Sequence, residues 1–374
     1  MSSRNAGLKI VWWIDHLGSG GAQQILSRLI EHMAQQGAKQ SVICLSTAPD
    51  NELTNRIART GAALHIIGKK RLLFGIGLLL TWRLIREQRF DVSVSFLFNS
   101  DVIGTLMSWL GNVPTRISAQ RSSNDHYSRL HCKVIRLVLR KATCIVLNNN
   151  AYRSHAKRFL PNRTPICVIP NGVNFSKRMP TDRKHRLHAE LMLPPDTPLI
   201  GSVGRLSVEK RVEDVIRAVA LLEDSTSHLV LIGDGPQKVH LARVTESLDL
   251  ADRVHFLGER QDMDIIVHDL SLYVLASSFE GMSNSLMEAM VAGCPVAVSA
   301  IDANVALVGN NTRGWIFRVG DIQNLAEVIS LILRSPEQRK IRTQSAKEYI
   351  EGSYTEQRML LSWQAVLEKR ARPH

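Results

Sequence analysis

Short apolar runs alternate with amphipathic stretches along the chain. LKIVWWI, Leu8 to Ile14, is dense in β-branched and aromatic residues and predicts a strand. The glycine turn DHLGSGGAQ follows. QILSRLIEHMAQQG then places its apolar residues at helical spacing and stops on Gly37. QSVICLS, FDVSVSFLF and CIVLN continue the strand theme, and CVIPNGVNF ends a strand in a Pro-Asn-Gly turn. The polar, proline-punctuated stretch SKRMPTDRKHRLHAELMLPPDTP reads as a linker. Beyond it the alternation restarts with PLIGSVG, VEDVIRAVALL, HLVLIGDGP, VHFLGER, LSLYVLASS and CPVAVSA, and YTEQRMLLSWQAVLEKRARPH predicts a final amphipathic helix. Alternating β and α elements in both halves imply two doubly wound parallel sheets. Ligands of such sheets bind outside the carboxyl ends of the strands, which the glycine turns line.

A chain of 374 residues with 44% hydrophobic content can bury two cores. We expect domains at 1–178 and 179–354, with the helix from about 355 to 374 packing back onto the first. Cys44, Cys132, Cys144, Cys167 and Cys294 form no CxxC pair and lie in apolar surroundings. With a strand so close to the first residue, the expectation is no secretory leader, reduced thiols and a cytoplasmic protein. The apolar run Leu72–Trp82 is shorter than the roughly 20 residues that span a bilayer. It reads as a packed helix or as one resting on a membrane.

Charge changes this picture. Residues 1–178 hold 25 Lys and Arg against 8 Asp and Glu; the remainder holds 22 against 26. A basic front half suits an anionic partner: a phosphorylated substrate, a membrane surface or a nucleic acid. In RLHCKVIRLVLRK, Arg129, Lys133, Arg136 and Arg140 recur at steps of four, three and four, one stripe of a helix. Nucleic acid is not expected, since no RNA motif interleaves aromatics with the basic residues.

Three stretches carry candidate chemistry. In LGSGGAQ, Gly20 and Gly21 allow backbone to approach a phosphate, or form a plain tight turn. Gln23 stands where a dinucleotide fingerprint has its third glycine, and no Walker lysine follows. In GRLSVEKR, Arg205 and Lys210 can reach one diphosphate from a strand end, as a fork and as a point charge. In EGMSNSLMEAMVAG, Ser283 or Asn284 can cap a helix whose free amides suit an anion. Glu288, one turn inside, suits a ribose diol; Glu280, before the helix on the open edge, suits sugar hydroxyls. Asp262-Met-Asp264 could suggest a metal, but acids are simply favourable at a helix start, and no metal site is expected.

The stretch EGMSNSLMEAMVAGCPVAVS resembles the E-x7-E signature of retaining glycosyltransferase family 4. LGSGGAQQIL, DVSVSFLFNSDVIGTL, VIPNGVNF, VGRLSVEKRVEDVIRA, LVLIGDGPQ and VHFLGER follow the family's order over nearly the whole chain. The resemblance implies the GT-B fold, α/β, with two Rossmann-like domains facing across a cleft. It implies a retaining, metal-independent hexosyl transfer from a nucleotide-sugar, by family frequency a UDP-sugar, with no cofactor. It assigns Arg205 and Lys210 to the donor diphosphate, Glu280 to the donor sugar, Glu288 to the ribose and Gly21, beside Gly20, to the diphosphate. Backbone from Gly281 through Ser283, Asn284, Ser285 and Leu286 would also hold the donor, with the base near Gly258 to Arg260. The acceptor would be a saccharide or lipid-linked, in bacterial surface polysaccharide or lipopolysaccharide synthesis, with peripheral attachment to the inner face of the membrane. One departure stands out: where many relatives carry histidine, this chain has Gln120 and Arg121, and Arg121 is a candidate for charge near the reacting sugar or the acceptor. The alternatives are a non-catalytic nucleic-acid-binding or scaffold protein on this fold, and an enzyme of related fold that hydrolyses its donor link.

Overall fold

The computed structural model describes residues 7–18, 20–68, 70, 75–121, 128–153, 160–161, 163–174 and 185–371. The apolar run near the start forms β1 (Lys9–Ile14), where Trp12 and Trp13 are both fully buried. Neighbouring side chains on a strand point to opposite faces, so the two indoles serve two separate layers. Trp12 packs with Phe96 and donates Nε1 to Gln40 Oε1 at 2.8 Å; Trp13 donates to Ser93 Oγ at 3.1 Å.

β1 sits inside a parallel sheet ordered β3-β2-β1-β4-β5-β6-β7. Its other strands are β2 (Lys39–Cys44), β3 (Ala63–Ile66), β4 (Val92–Phe96), β5 (Thr115–Gln120), β6 (Cys144–Leu147) and β7 (Ile166–Val168). The described helices between them are α1 (Gly21–Gln35), α2 (Glu52–Arg59), α3 (Ile76–Gln88), α4 (Phe98–Leu110) and α5 (Arg129–Leu139). The Trp13 layer holds residues of α3 and α4, and Gly104 lets α4 lie on that indole: a Cβ there would come within 2.7 Å of the ring.

A second parallel sheet has the order β10-β9-β8-β11-β12-β13. It comprises β8 (Leu199–Val203), β9 (His228–Ile232), β10 (Val254–Gly258), β11 (Leu272–Leu275), β12 (Val296–Ser299) and β13 (Trp315–Phe317). The helices around it are α6 (Arg186–Glu190), α7 (Val212–Ala220), α8 (Lys238–Ser247), α9 (Met263–Ile266), α10 (Asn284–Val291), α11 (Asp302–Val308), α12 (Ile322–Leu333) and α13 (Pro336–Ser353). The last helix is α14 (Glu356–Ala371). The protein is thus α/β, with two doubly wound sheets.

Contacts divide the chain into two units, Met1–Gly172 with Glu356–His374, and Val173–Thr355. In the first, α14 lies on α1. Met359, Trp363 and Leu367 recur at steps of four on one helical stripe and are buried in the Trp12 layer, Trp363 stacking on Phe96 with ring centroids 6.0 Å apart. His32 and Gln364 meet at 2.8 Å, and Arg28 pairs with Glu356 at 3.1 Å.

The stretch expected to be a free linker is only partly described. From His185 on it belongs to the second unit: Leu187 is 1% exposed, and the backbone N–H groups of His185 and Leu187 donate to the two oxygens of Asp269. The apolar periodicity there is one turn long, too short to read as a helix from sequence. Of the run Leu72–Trp82, residues 72–74 lie outside the described residues, and among the described residues no helix is long and apolar enough to cross a membrane.

Candidate functional site

Three strand ends of the second unit are tied by backbone hydrogen bonds. Gly204, after β8, donates its N–H to the Ile232 carbonyl at 2.9 Å; Gly233, after β9, donates to the Gly258 carbonyl at 2.7 Å. Gly204, Gly233 and Gly258 have φ of +149°, +131° and +66°. A side chain on Gly233 would overlap the Gly204 carbonyl, so glycine there sets how closely the two turns approach.

The loop leaving β8 carries Arg205, Glu209 and Lys210. Arg205 is exposed, and its guanidinium makes no hydrogen bond or ion pair with a described residue. Lys210 Nζ meets Glu280 Oε1, and the same oxygen accepts a hydrogen bond from Ser277 Oγ at 2.7 Å. The expectation that Glu280 stands on an open edge is corrected: its side chain is 11% exposed and ion-paired. Glu209 locks the loop. Its carbonyl accepts from the Ser278 N–H at 2.8 Å and Oγ at 3.1 Å, and its carboxylate accepts from Ser207 Oγ at 2.6 Å. Burial opposes charge on Glu209, but the Ser207 hydroxyl, its own N–H and nearby Lys210 and Arg205 outweigh it and hold the acid below its ordinary value.

α10 begins after the turn that carries Glu280 and Gly281. Of the two possible caps, Ser283 is the one used: its Oγ accepts from Leu286 N at 3.3 Å. The Leu286 amide, which the resemblance assigned to the donor, is thus already engaged by the Ser283 cap. Ser285 Oγ bonds Tyr273 OH at 2.8 Å and approaches Ser283 Oγ at 3.2 Å. Glu288 is half-buried one turn beyond Asn284. Tyr273 reports on both acids. Burial first, and then the fields of Glu280 and Glu288, raise its phenol well above the ordinary range, although the Ser285 and Ser283 hydroxyls pull the other way. Both carboxylates therefore lie within electrostatic reach of one buried phenol.

Gly258 has open space where a Cβ would stand, but the Arg260 guanidinium is committed elsewhere. It contacts Asp262 at 2.9 and 3.0 Å and Glu190 at 2.5 and 3.0 Å, and Arg186 adds a 3.4 Å contact to Asp262. Any part for Arg260 in holding a base falls to its backbone. Asp262 of the Asp-x-Asp pair is likewise spent on guanidinium groups. Among the described residues no three His, Cys, Asp or Glu side chains cluster as metal ligands.

In the first unit, Gly20 precedes α1 in extended backbone and Gly21 opens the helix, with no side-chain cap. Asp15, at the end of β1, holds the start of α4: Oδ1 accepts from Ser100 N and Oγ, each at 2.7 Å, and Oδ2 from Asn99 Nδ2 at 2.9 Å. Asp101 is buried among neutral donors, Ser95 Oγ at 2.7 Å, Ser118 Oγ at 2.6 Å and Gln120 Nε2 at 2.7 Å. Burial pushes its carboxyl up to about 8, with the Ser118, Ser95 and Gln120 bonds opposing and Asp15 adding. Arg121 lies over the rings of Phe96 and Trp363, at 5.0 and 5.8 Å from their centroids, and its Nη1 donates to Asn171 Oδ1 at 3.0 Å. Its Nε and Nη2 are covered, and burial lowers the guanidinium to about 9. The nearest histidine along the chain, His126, lies outside the described residues. Sequence reasoning passed over Asp15, Asp101, Tyr273, Ser277, Ser278 and Glu209; Asp15, Ser277 and Ser278 follow strand ends, whereas Asp101 sits in the first turn of α4 and Tyr273 inside β11.

The family model for Glycosyltransferase Family 4 matches residues 19–177, and that for Glycosyl transferases group 1 matches residues 183–349. The chain is 24% identical over 323 residues to the UDP-Gal:alpha-D-GlcNAc-diphosphoundecaprenol alpha-1,3-galactosyltransferase of Escherichia coli, covering 83% of this chain and 84% of that one. It is 24% identical to the lipopolysaccharide core biosynthesis glycosyltransferase LpsE of Rhizobium meliloti, covering 91% and 94%. Among solved structures, Anabaena Alr3699/HepE in complex with UDP-glucose superposes with a TM-score of 0.87 at 19% identity, over 97% of this chain and all of that one.

Proposed function

Because the chain belongs to the family-4 glycosyltransferases of GT-B architecture, matched by family models across both units, we propose how this glycosyltransferase works. It moves a hexosyl group from a UDP-sugar to a lipid-linked or saccharide acceptor of a bacterial surface polysaccharide, with retention and without metal. The observation that carries the reading is the joining of Lys210, Glu280 and Ser277 at the ends of β8 and β11, with Arg205 exposed beside them.

Departure of UDP leaves negative charge on the β-phosphate. Arg205 offers a fork and Lys210 a point charge for it, preorganised before the charge develops. Glu280 accepts hydroxyls of the sugar, and Glu288 those of the ribose. The leaving phosphate assists deprotonation of the acceptor on the same face, which gives retention without an enzymic nucleophile. Arg121, covered as it is, serves to hold the end of β5 against α14 rather than to touch the sugar. The E. coli relative acts on a diphosphoundecaprenol-linked sugar, and the Anabaena structure holds UDP-glucose; both support the choice of donor and acceptor class.

UDP at a hundred times its dissociation constant is expected to stabilise the protein by about 2.7 kcal/mol, a rise of roughly 5–10 °C in the melting of the second unit. The shift persists in EDTA and disappears in Arg205→Ala. A shift that needs magnesium sinks the metal-free mechanism, and no shift with any nucleoside diphosphate sinks the donor reading.

The acceptor reading extends to an anionic membrane surface. On α5, Ile135 and Leu139 are buried, while Leu130, Val134 and Leu137 are 70%, 39% and 64% exposed. Arg129, Lys133 and Arg140 stand exposed around them, and residues 129–141 contain no acid. On α3, Ile76, Leu79 and Leu80 are also exposed. Apolar side chains that enter the headgroup region, ringed by cations worth about 1 kcal/mol each, fit an anionic leaflet. The protein is expected to co-sediment with phosphatidylglycerol vesicles at low salt and not with phosphatidylcholine vesicles. Equal recovery with both would overturn this attachment.

A further inference from the structure

A chain of buried hydrogen bonds ends on Glu280. Ser277 is fully buried, and its Oγ donates to Glu280 Oε1, the oxygen that also meets Lys210. Behind it, the Ser277 carbonyl accepts from Ser299 Oγ at 2.6 Å. Asn304, near the start of α11, donates Nδ2 to Ser299 Oγ at 3.1 Å and to the Ser299 carbonyl at 3.2 Å. Ser299 is 0% and Asn304 1% exposed, so none of these bonds competes with water. Both donors fall on one oxygen of Glu280. Oε2 makes no hydrogen bond to a described residue. The next residue, Ser278, grips the carbonyl of Glu209 in the loop that carries Arg205 and Lys210.

We propose that Ser277 is a positioning residue for sugar transfer: it holds Glu280 by Oε1 so that Oε2 is presented to a hydroxyl of the donor's sugar. It acts through Glu280 and touches no substrate itself. This rests on the donor reading above. Lysine alone cannot do the same, because an ammonium on a flexible stem is a point charge that follows the carboxylate as it turns. A hydroxyl fixed on the end of a buried strand defines a direction, and its own carbonyl is anchored through Ser299 and Asn304 to α11. Site groups held by such a supporting layer keep the geometry that transfer needs.

The test compares wild type, Ser277→Ala and Ser277→Cys, full-length, by titration calorimetry with UDP and with UDP-glucose, UDP-galactose and UDP-N-acetylglucosamine. Release of UDP from the donor that wild type prefers gives kcat and KM. In Ser277→Ala the affinity for UDP stays within about twofold, while the preference for UDP-sugar over UDP drops roughly tenfold, the worth of one hydrogen bond to a charged group. kcat falls at least as far, and Ser277→Cys, which keeps a weak donor, lies between. Unchanged preference and turnover in Ser277→Ala overturn the proposal. So does parallel weakening of UDP and UDP-sugar with a lowered melting temperature, which marks general loosening. Wild type that binds none of these ligands removes the donor reading first, and this inference with it.

Discussion

Lys210→Ala is expected to lower turnover by about 10²–10³-fold and to weaken UDP, while leaving UDP-sugar affinity within several-fold. Losing one preorganised group aimed at developing charge costs on this scale. The asymmetry between turnover and binding follows because charge on the leaving phosphate grows only as the glycosidic bond breaks. On the proposed reading Arg205, exposed and unpaired, still meets the diphosphate of the UDP-sugar in the ground state. A second effect adds to the first. Without Lys210, the Glu280 carboxylate keeps only Ser277 as a donor while 11% of its side chain is exposed. An acid left short of its partner in such surroundings turns toward whatever donor it can find. Lys210→Arg is not expected to restore activity, since the broader planar group cannot share one carboxylate oxygen in the same way. Steady-state kinetics and titration with UDP-sugar and with UDP on the three proteins decide the matter. A turnover loss below tenfold in Lys210→Ala removes Lys210 from the transition state.

Gly233→Ala is expected to destabilise the second unit by about 3–5 kcal/mol, and with it to abolish the stabilisation by UDP. Two costs combine. At φ of +131° the backbone is one that only glycine adopts readily, and the new methyl would overlap the Gly204 carbonyl, which belongs to a neighbouring turn and cannot rotate away. Gly258→Ala is the control. Its φ is also positive, at +66°, but nothing lies within 4 Å of the place a Cβ would take. Only the conformational cost applies there, about 1–2 kcal/mol. Urea unfolding of the two variants should therefore separate them clearly. Equal losses would mean that the close approach of the turns after β8 and β9 contributes little.

The two sheets are legible because each strand is a short β-branched run between turn residues, and burial in a parallel sheet demands such runs. The proposed site residues Arg205, Lys210 and Glu280 stand out as charges after the ends of apolar strands, and Glu288 as an acid one turn into the helix that follows. Ser277 and Ser278 do not stand out. A serine pair at a strand end reads as a turn, and its worth depends on which oxygen it meets across two loops. Arg121 misleads for the opposite reason. In a polar stretch a cation reads as exposed, and its covering partner, Trp363, comes from the last helix. α6 is hidden in a polar segment because a single turn cannot declare a period. Asp101 looks like a first-turn helical acid, and only the placement of Ser95, Ser118 and Gln120 on adjacent strands shows that it is enclosed.

The placement of α14 sets an order of events during synthesis. The first unit is closed by a helix that the ribosome delivers only after the whole of Val173–Thr355 has been made. At about 5–20 residues per second, that interval is roughly ten to forty seconds. Throughout it, the face of the first sheet that carries Trp12 and Phe96 lacks the cover of Trp363, Met359 and Leu367. The nascent first unit thus has only α1 and α2 over this layer, with the place of α14 empty, while the second folds as an uninterrupted segment. The half that emerges first is the last to be finished.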